Sequence, residues 1–327
     1  MRRFLSLTAF YIAFILFVFT FSLYLFASPN EPLTAEKEVS ASARDPIFLL
    51  VGVDKASYSA DVMILLRMKR GELAFLQIPR DSLTASGSRL NAVFAAACNR
   101  VKNEGGSDKD AYLAGGRALS EKLQAALGIT VSAHATLTLD GLATMIDAIG
   151  GVDVTLDRAL SYEDPAQGLV ISLEAGERHL DGVAAEGLVR CRNAYPDADY
   201  GRMRAQRKLI EAVFHKVRNA FSPFGLISLF RKAYSEVATD LSLKDALPLL
   251  RRLVSEDTAL TFATLCGESY RHGNAVVEVL NRHNLEKASL YLGGEFDPAL
   301  CRAEFCHGDA GVISLYESST PPPFSVS

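Results

Sequence analysis

The sequence lacks the signatures of several common enzyme classes. It has no Gly-x-Ser-x-Gly turn, no Walker loop and no GxGxxG motif. These absences argue against a serine hydrolase with a nucleophile elbow, a P-loop nucleotidase and a dinucleotide-dependent oxidoreductase. The six histidines and five cysteines show no metal-ligand spacing, so a zinc site is not indicated. Cys301 and Cys306 either close a small disulfide loop or stay as free thiols.

The sequence also lacks an excess of positive charge, because 34 Lys and Arg stand against 38 Asp and Glu, which gives a formal net charge of −4 over 327 residues. A nucleic-acid-binding protein usually needs a basic face over much of a domain, so no nucleic-acid partner is expected. The hydrophobic content of 49% and the charged fraction of 22% are those of a folded globular body. The length suits one large domain or two small ones.

The amino-terminal segment predicts a membrane anchor. Arg2 and Arg3 precede an uncharged stretch from residue 4 to residue 26, which at ~1.5 Å per residue can cross the roughly 30 Å core of a bilayer. Basic residues before this stretch and acidic residues after it favour a cytoplasmic amino terminus. We expect residues 1–28 to form a cytoplasmic stub and a single-pass anchor in the cell membrane. Residues 29–45 would link it to an extracytoplasmic body, and a signal peptide cleaved near Ala27-Ser28 is the alternative.

Hydrophobic periodicity predicts strands that alternate with helices along the rest of the chain. The predicted strands are 46–54, 61–68, 73–78, 133–139, 152–156 and 259–265. The predicted helices are 111–127, 140–149, one within 182–192, 199–221, 243–254 and 275–281. Gly128 ends the first helix as its C-cap, and Asp140 is the expected N-cap of the second. This alternation indicates a layered α/β domain with helices on both faces of a sheet.

Six basic residues fall close together in one segment, LVRCRNAYPDADYGRMRAQRKLIEAVF, between residues 188 and 214. Guanidinium groups present planar donor forks that match phosphate oxygens, and several converging arginines would suit a diphosphate. Asp199 begins the helix that carries Arg202, whose positive amino-terminal dipole adds to the same field. Gln206 follows Arg202 by one turn on the same side. A solvated, charged helix face is the alternative interpretation.

Carboxylates and one more arginine follow the first strands. Asp54 ends the first strand and Asp61 begins the second, so the pair could hold Mg²⁺, which takes few protein ligands in addition to substrate phosphates. Two turn aspartates that bind backbone amides are the alternative. Arg80 leaves the third strand after Pro79, which stops strand pairing. It could point at the same anion, or it could be a surface arginine.

These segments, in this order, resemble the LytR-CpsA-Psr family of membrane-anchored cell-envelope phosphotransferases. The resemblance rests on FLLVGVDKASYSADVMILLRM, LAFLQIPRDS, RLNAVFAAA, LDGLATMIDAIGGVDVTL, LEAGERHLDGVAAEGLVRCRN and DADYGRMRAQRK. It covers the anchor and residues 45–221, with a weaker continuation to about residue 287. The implied fold is a three-layer α-β-α sandwich with a central mixed sheet, over residues 46–287. Residues 288–327 would be a partly loose extension.

The resemblance also implies a function. Such proteins transfer a glycopolymer from a polyprenyl-pyrophosphate carrier to an acceptor hydroxyl of peptidoglycan or another envelope glycan, forming a phosphodiester with Mg²⁺ or Mn²⁺. The positions that match are Asp54 and Asp61 for the metal, Arg80, Asp81 and Asp199 for catalysis, and Arg80, Arg190, Arg192, Arg202 and Gln206 for the pyrophosphate.

Two positions depart from the family pattern. Ser59 stands where an arginine often precedes the second aspartate, and Ala205 stands where an arginine often precedes the motif glutamine. Arg204 is one residue away, about 100° around a helix. A pyrophosphate hydrolase and a non-catalytic, membrane-tethered lipid-binding module are therefore alternative functions. The polymer and its acceptor stay open.

Overall fold

A mixed seven-stranded sheet forms the centre of the computed structural model. The structure describes residues 45–164, 169–191, 195–197, 199–220, 223–242, 245–246, 249, 258–272, 275–305 and 325–326. In these ranges no helix has the length and apolar character needed to span a bilayer. The predicted anchor at residues 1–28 and most of the predicted helix at 243–254 lie outside the described residues, and so does Cys306.

The strands follow the predicted positions closely along the first half of the chain. They are β1 (Ile47–Asp54), β2 (Ser59–Lys69), β3 (Glu72–Gln77), β4 (Val131–Thr138), β5 (Val152–Leu156), β6 (Leu160–Asp164), β7 (Leu169–Leu173), β8 (Gly176–Leu180), β9 (Val237–Thr239), β10 (Ala259–Thr264), β11 (Gly267–His272), β12 (Ala275–Leu280) and β13 (Ser325–Val326). The central order is β13-β10-β3-β2-β1-β4-β9, and β5-β8, β6-β7 and β11-β12 form two-stranded ribbons. Strands β1, β3, β4 and β10 run in the same direction, so their carboxyl ends share one edge.

Helices cover both faces of the sheet, as the sequence predicts. They are α1 (Leu90–Asn103), α2 (Asp108–Leu127), α3 (Leu139–Ala148), α4 (Gly182–Arg190), α5 (Asp199–Ala220), α6 (Pro223–Glu236), α7 (Arg282–Leu292) and α8 (Pro298–Glu304). One face packs against α1, α2, α7 and α8, with Phe94 and Leu119 fully buried there. The other face packs against α5 through Ile210 and Phe214. Residue 287 lies inside α7, and the later residues Leu292 and Phe305 are buried in the core.

Helix ends are set by local hydrogen bonds. Gly128 ends α2 with φ +60°, the left-handed conformation expected of a glycine C-cap. The predicted N-cap Asp140 is wrong, because the side chain of Thr138 accepts the hydrogen bond from the Gly141 amide. A hydroxyl at the end of β4 reaches this amide, which leaves Asp140 in the first turn of α3.

The predicted helix at residues 275–281 is also wrong. Residues 275–280 form β12, which pairs antiparallel with β11 from Gly267↔Leu280 to His272↔Ala275. Val277 and Val279 are buried, and β-branched residues favour strands over helices. The short apolar run AVVEVL fits both periodicities, so the pairing partner decides its structure.

A β-bulge shapes the hairpin between β1 and β2. The register shifts between Gly52, opposite Val62, and Val53, opposite Ala60, so Asp61 is the extra residue. A Cβ atom on Gly52 would lie 2.9 Å from the Val62 Cβ. Glycine is therefore required where the two backbones approach at the bulge.

We expect Gly52→Ala to lower the free energy of unfolding by about 1–3 kcal/mol, because the added methyl overpacks the bulge. Chemical denaturation measures this loss. The double variant with Val62→Gly should lose less than the sum of the two single variants, because the Val62 Cβ that lies 2.9 Å from the new methyl is then absent. Strictly additive losses would show that the close approach is not the cause.

Candidate functional site

Arg80 lies just beyond the carboxyl end of β3. Pro79 has no amide hydrogen to pair with, so the chain leaves the sheet here. The Arg80 Nη1 donates a hydrogen bond to Asp61 Oδ1, on the bulge of the neighbouring strand. Its Nε lies 3.6 Å from Asp81 Oδ2. Asp81 Oδ1 in turn accepts a 3.0 Å hydrogen bond from Arg89 Nη1.

Helix α5 brings a second guanidinium to the same place. Asp199 is the first residue of α5, and its Oδ1 lies 2.6 Å from Arg202 Nη2, one turn further on. Arg202 Nη2 also donates to the backbone oxygen of Asp61 at 3.1 Å, and the residue is only 3% exposed. Arg80 and Arg202 therefore meet at Asp61, one through its side chain and the other through its backbone.

The charges around Arg80 are closely balanced. Burial lowers the pKa of the Arg80 guanidinium, but the carboxylates of Asp61, Asp81 and Asp199 outweigh burial, so this pKa lies above its usual value. Arg80 stays a cation, and it lies in the field of three carboxylates. An anion that bound here would have to compete with these carboxylates for the two guanidiniums.

Gln206 lies one turn after Arg202 on α5, and Arg190 is the last residue of α4. Gln206 is buried, and its Nε2 donates to the Val189 backbone oxygen near the end of α4 at 3.4 Å. Arg190 follows directly and its Nη1 donates to Glu186 Oε1 at 2.8 Å. The contact brings the end of α4 to the α5 side that carries Arg202. The predicted pyrophosphate residue Arg192 lies outside the described residues.

Asp54 has the contacts that the turn interpretation predicts. Its Oδ1 accepts the Ala56 amide hydrogen at 3.1 Å, and its Oδ2 accepts the Ser57 hydroxyl at 3.4 Å. Asp61, two residues beyond the strand partner of Asp54, is paired with Arg80. In the described part of the chain, no group of three or more His, Cys, Asp or Glu side chains converges. Asp54 and Asp61 nevertheless supply two carboxylates, the ligand type that Mg²⁺ prefers, close to the turn between β1 and β2.

Two buried polar residues near the site escaped prediction. Glu278 of β12 accepts hydrogen bonds from Tyr200 of α5 and from Ser269 of β11. Gln77, the last residue of β3, donates from Nε2 to the Met203 backbone oxygen at 2.8 Å. The sequence signal for Glu278 is a single acid within the apolar run AVVEVL, which the helix prediction for residues 275–281 does not single out.

Comparison with known proteins identifies the family. The LytR_cpsA_psr family profile matches residues 25–290, which is most of the chain. The chain belongs to the LytR_cpsA_psr family.

Relatives agree with this assignment. Biofilm regulatory protein A of Streptococcus mutans is 30% identical over 221 residues, covering 63% of this chain and 51% of the relative. The polyisoprenyl-teichoic acid–peptidoglycan teichoic acid transferase TagU of Enterococcus faecalis is 28% identical over 170 residues, covering 51% and 53%. The chain thus spans about half the length of these relatives. A crystal structure of a protein described as a transcriptional regulator from Enterococcus faecalis shares the fold, with a TM-score of 0.64, 21% identity, and coverage of 84% of this chain and 94% of its own.

The two departures from the LytR_cpsA_psr pattern have clear places in the structure. The Ser59 hydroxyl donates to Asp61 Oδ1 at 3.2 Å, so it supports the carboxylate that Arg80 contacts. Ala205 is buried between α5 and α4, where its methyl packs in a hydrophobic cluster. Arg204 is exposed and pairs with Asp197, so it lies away from the buried side of α5.

An apolar cavity of about 150 Å³ opens on the sheet face that α5 covers. It is lined by Phe48, Leu50, Leu66, Met68, Leu241 and Leu249, among others. Phe48, Leu50, Leu66 and Met68 belong to the half of β1 and β2 remote from Asp54 and Asp61. Phe94 is packed on the opposite face of the sheet.

Two arginine–aspartate pairs on one helix allow a matched comparison. We expect Arg202→Gln to reduce the free energy of unfolding by about 3–5 kcal/mol, because it leaves the buried Asp199 carboxylate without its cation. Arg204→Gln breaks the exposed pair with Asp197 and should cost less than about 1 kcal/mol. Denaturant titration of both variants measures the difference. Equal losses would mean that the Arg202 pair is not buried in solution.

Proposed function

We propose that this chain transfers a glycopolymer from a polyprenyl-pyrophosphate carrier to an acceptor hydroxyl of peptidoglycan or another envelope glycan. The single observation that carries the proposal is the meeting of Arg80 and Arg202 at Asp61, on the edge where the parallel strands end. Open α/β sheets bind ligands at such an edge. A TagU relative named as a teichoic acid transferase supports the reaction class. The proposal keeps the anchor at residues 1–28, which would hold the body outside the cell membrane beside its acceptor.

The chemistry is a phosphoryl transfer. The acceptor hydroxyl attacks the sugar-linked phosphorus, the bond from this phosphorus to the bridging oxygen breaks, and polyprenyl phosphate leaves with the electron pair. Arg80 and Arg202 would neutralise the charge that builds on the leaving phosphate, where such reactions gain most. A carboxylate would accept the hydroxyl proton, and Asp54, Asp81 and Asp199 are the candidates.

An apolar cavity on the same body supports the proposed binding of an isoprenoid. A polyprenyl chain needs a dry surface, and the side chains that line the cavity are almost all apolar. The sheet carries this cavity on one face and the arginines at one edge. A lipid whose polar head and apolar tail must be bound together fits this arrangement.

Magnesium is part of the proposal. Asp54 and Asp61 would hold Mg²⁺, or Mn²⁺ in its place, and the ion would supply positive charge to the phosphates. Asp61 would then give up part of its ion pair with Arg80, which would free that guanidinium for a phosphate oxygen.

The reaction is tested with a labelled polyprenyl-pyrophosphate-linked glycan and peptidoglycan. We expect label on the peptidoglycan, and Arg80→Gln should lower the rate roughly 10²- to 10³-fold because one charge-stabilising donor is lost. Arg178→Gln, on the exposed ribbon strand β8, is the control and should leave the rate unchanged. Release of free sugar phosphate without transfer would favour the hydrolase alternative. Lipid binding without turnover would favour the tethered binding module.

The metal is tested by a chelator and by Asp61→Asn. We expect chelation to abolish transfer and added Mg²⁺ or Mn²⁺ to restore it, and Asp61→Asn to weaken Mg²⁺ binding measured by calorimetry at least roughly tenfold. Asp153→Asn, an exposed aspartate on β5, is the matched control. Transfer at full rate after chelation would remove the metal from the proposal.

A further inference from the structure

Glu278 is a buried acid to which neither the resemblance nor the proposed reaction gives a role. It lies on β12 with 7% of its surface exposed. Strands of this kind bury apolar side chains, and an isolated buried carboxyl costs free energy unless polar partners compensate. The Glu278 carboxyl therefore needs hydrogen-bond donors to compensate its burial.

The side chain of Glu278 binds the first turn of α5. Tyr200 donates its hydroxyl hydrogen to Glu278 Oε2 at 3.2 Å, and the Tyr200 oxygen accepts the Gly267 amide hydrogen at 2.9 Å. Ser269 donates to Glu278 Oε1. Tyr200 stands between Asp199 and Arg202 in sequence, so this contact fixes the turn that carries the buried ion pair.

The backbone of Glu278 binds the loop that carries Arg80. The Glu278 backbone amide donates to the backbone oxygen of Asp81 at 2.9 Å. The Leu83 backbone amide donates to the backbone oxygen of Glu278 at 2.8 Å. One residue therefore contacts both site segments, the loop through its backbone and the helix through its side chain. This connection links the segment of Arg80 to the segment of Arg202.

The charges that act on Glu278 are also consistent with a place beside the two arginines. Burial raises the pKa of Glu278, the hydroxyl donors Ser269 and Tyr200 lower it, and the charges of Asp199 and Asp81 raise it, with a net increase. The two aspartates that act on Glu278 are the ones that act on Arg80. Glu278 thus belongs to the same charge cluster as the two arginines.

We propose that Glu278 is a positioning residue, which sets the spacing of Arg80 and Arg202 by holding the first turn of α5 against the loop after β3. The inference rests on the proposed function for its catalytic consequence, but its geometric part concerns anion binding alone. Glutamine at this position keeps a carbonyl acceptor of the same shape, whereas alanine removes the link to Tyr200 and Ser269.

The experiment uses the full chain and two readouts, the transfer rate and the Kd for inorganic pyrophosphate by calorimetry. We expect Glu278→Ala to lower the rate roughly 10- to 100-fold and to raise the Kd about tenfold, as the loss of one charged hydrogen bond would. Glu278→Gln should restore both to within about threefold. Glu268→Gln, on the opposite face of the same ribbon, is the matched control and should change neither.

A second variant covers the case in which Glu278→Ala does not fold. Tyr200→Phe keeps the ring and removes only the hydroxyl that binds Glu278, so it should reproduce the rise in Kd. The double variant Glu278→Gln with Tyr200→Phe should lose no more than Tyr200→Phe alone, because both act through one contact.

The outcomes separate the two proposals. If the unaltered chain shows no transfer but Glu278→Ala or Tyr200→Phe raises the Kd for pyrophosphate, the proposed function is rejected and the positioning role is kept. A lower melting temperature with an unchanged Kd of the folded protein would reject the positioning role, since that is the result of a purely structural contact. Unchanged Kd values in Tyr200→Phe would reject it as well.

Discussion

Burial of two guanidiniums at one edge of the sheet is the constraint on which the site depends. Arg202 is almost completely buried and Arg80 is largely so, and a buried cation is stable only when carboxylates and backbone oxygens compensate its lost hydration. Asp61, Asp81 and Asp199 supply this compensation. The arginines are therefore fixed in place before any ligand arrives, which is the condition for electrostatic preorganisation.

That constraint extends to the backbone. Asp61 can contact Arg80 through its side chain and Arg202 through its oxygen because it is the extra residue of a bulge. The bulge in turn exists where Gly52 allows Val62 to approach. A single glycine in β1 thus contributes to the position of a carboxylate on the next strand, and through it to the position of two arginines.

The sequence predicts the elements that carry the site better than the contacts between them. Strands β1 to β3 and helix α5 are predictable because their apolar periodicities are long. Arg202 draws attention because six basic residues lie between residues 190 and 208, whereas Arg80 does so only because it follows Pro79 at the end of a strand. Glu278 and Gln77 could not be predicted in the same way, since each acts by a long-range contact with α5. The helix predicted at 275–281 failed for the same reason: a six-residue apolar run takes its structure from its partner, here β11.

Several independent contacts hold α5 to the edge of the sheet, and their distribution matters for the proposed reaction. Gln77 binds its backbone at Met203, Asp61 binds Arg202, and Glu278 binds Tyr200, all within the first turns of the helix. Further along, Ile210 and Phe214 pack on the sheet face that carries the apolar cavity. The sheet-facing side of α5 therefore changes from ion-paired at Arg202 to apolar at Ile210 and Phe214, while charged residues continue along its other sides. A ligand that follows it would need a charged head and a hydrocarbon tail in that order, which is the order in a polyprenyl pyrophosphate. The proposed lipid substrate thus matches the polarity of α5 and the sheet beneath it, in addition to the arginines themselves.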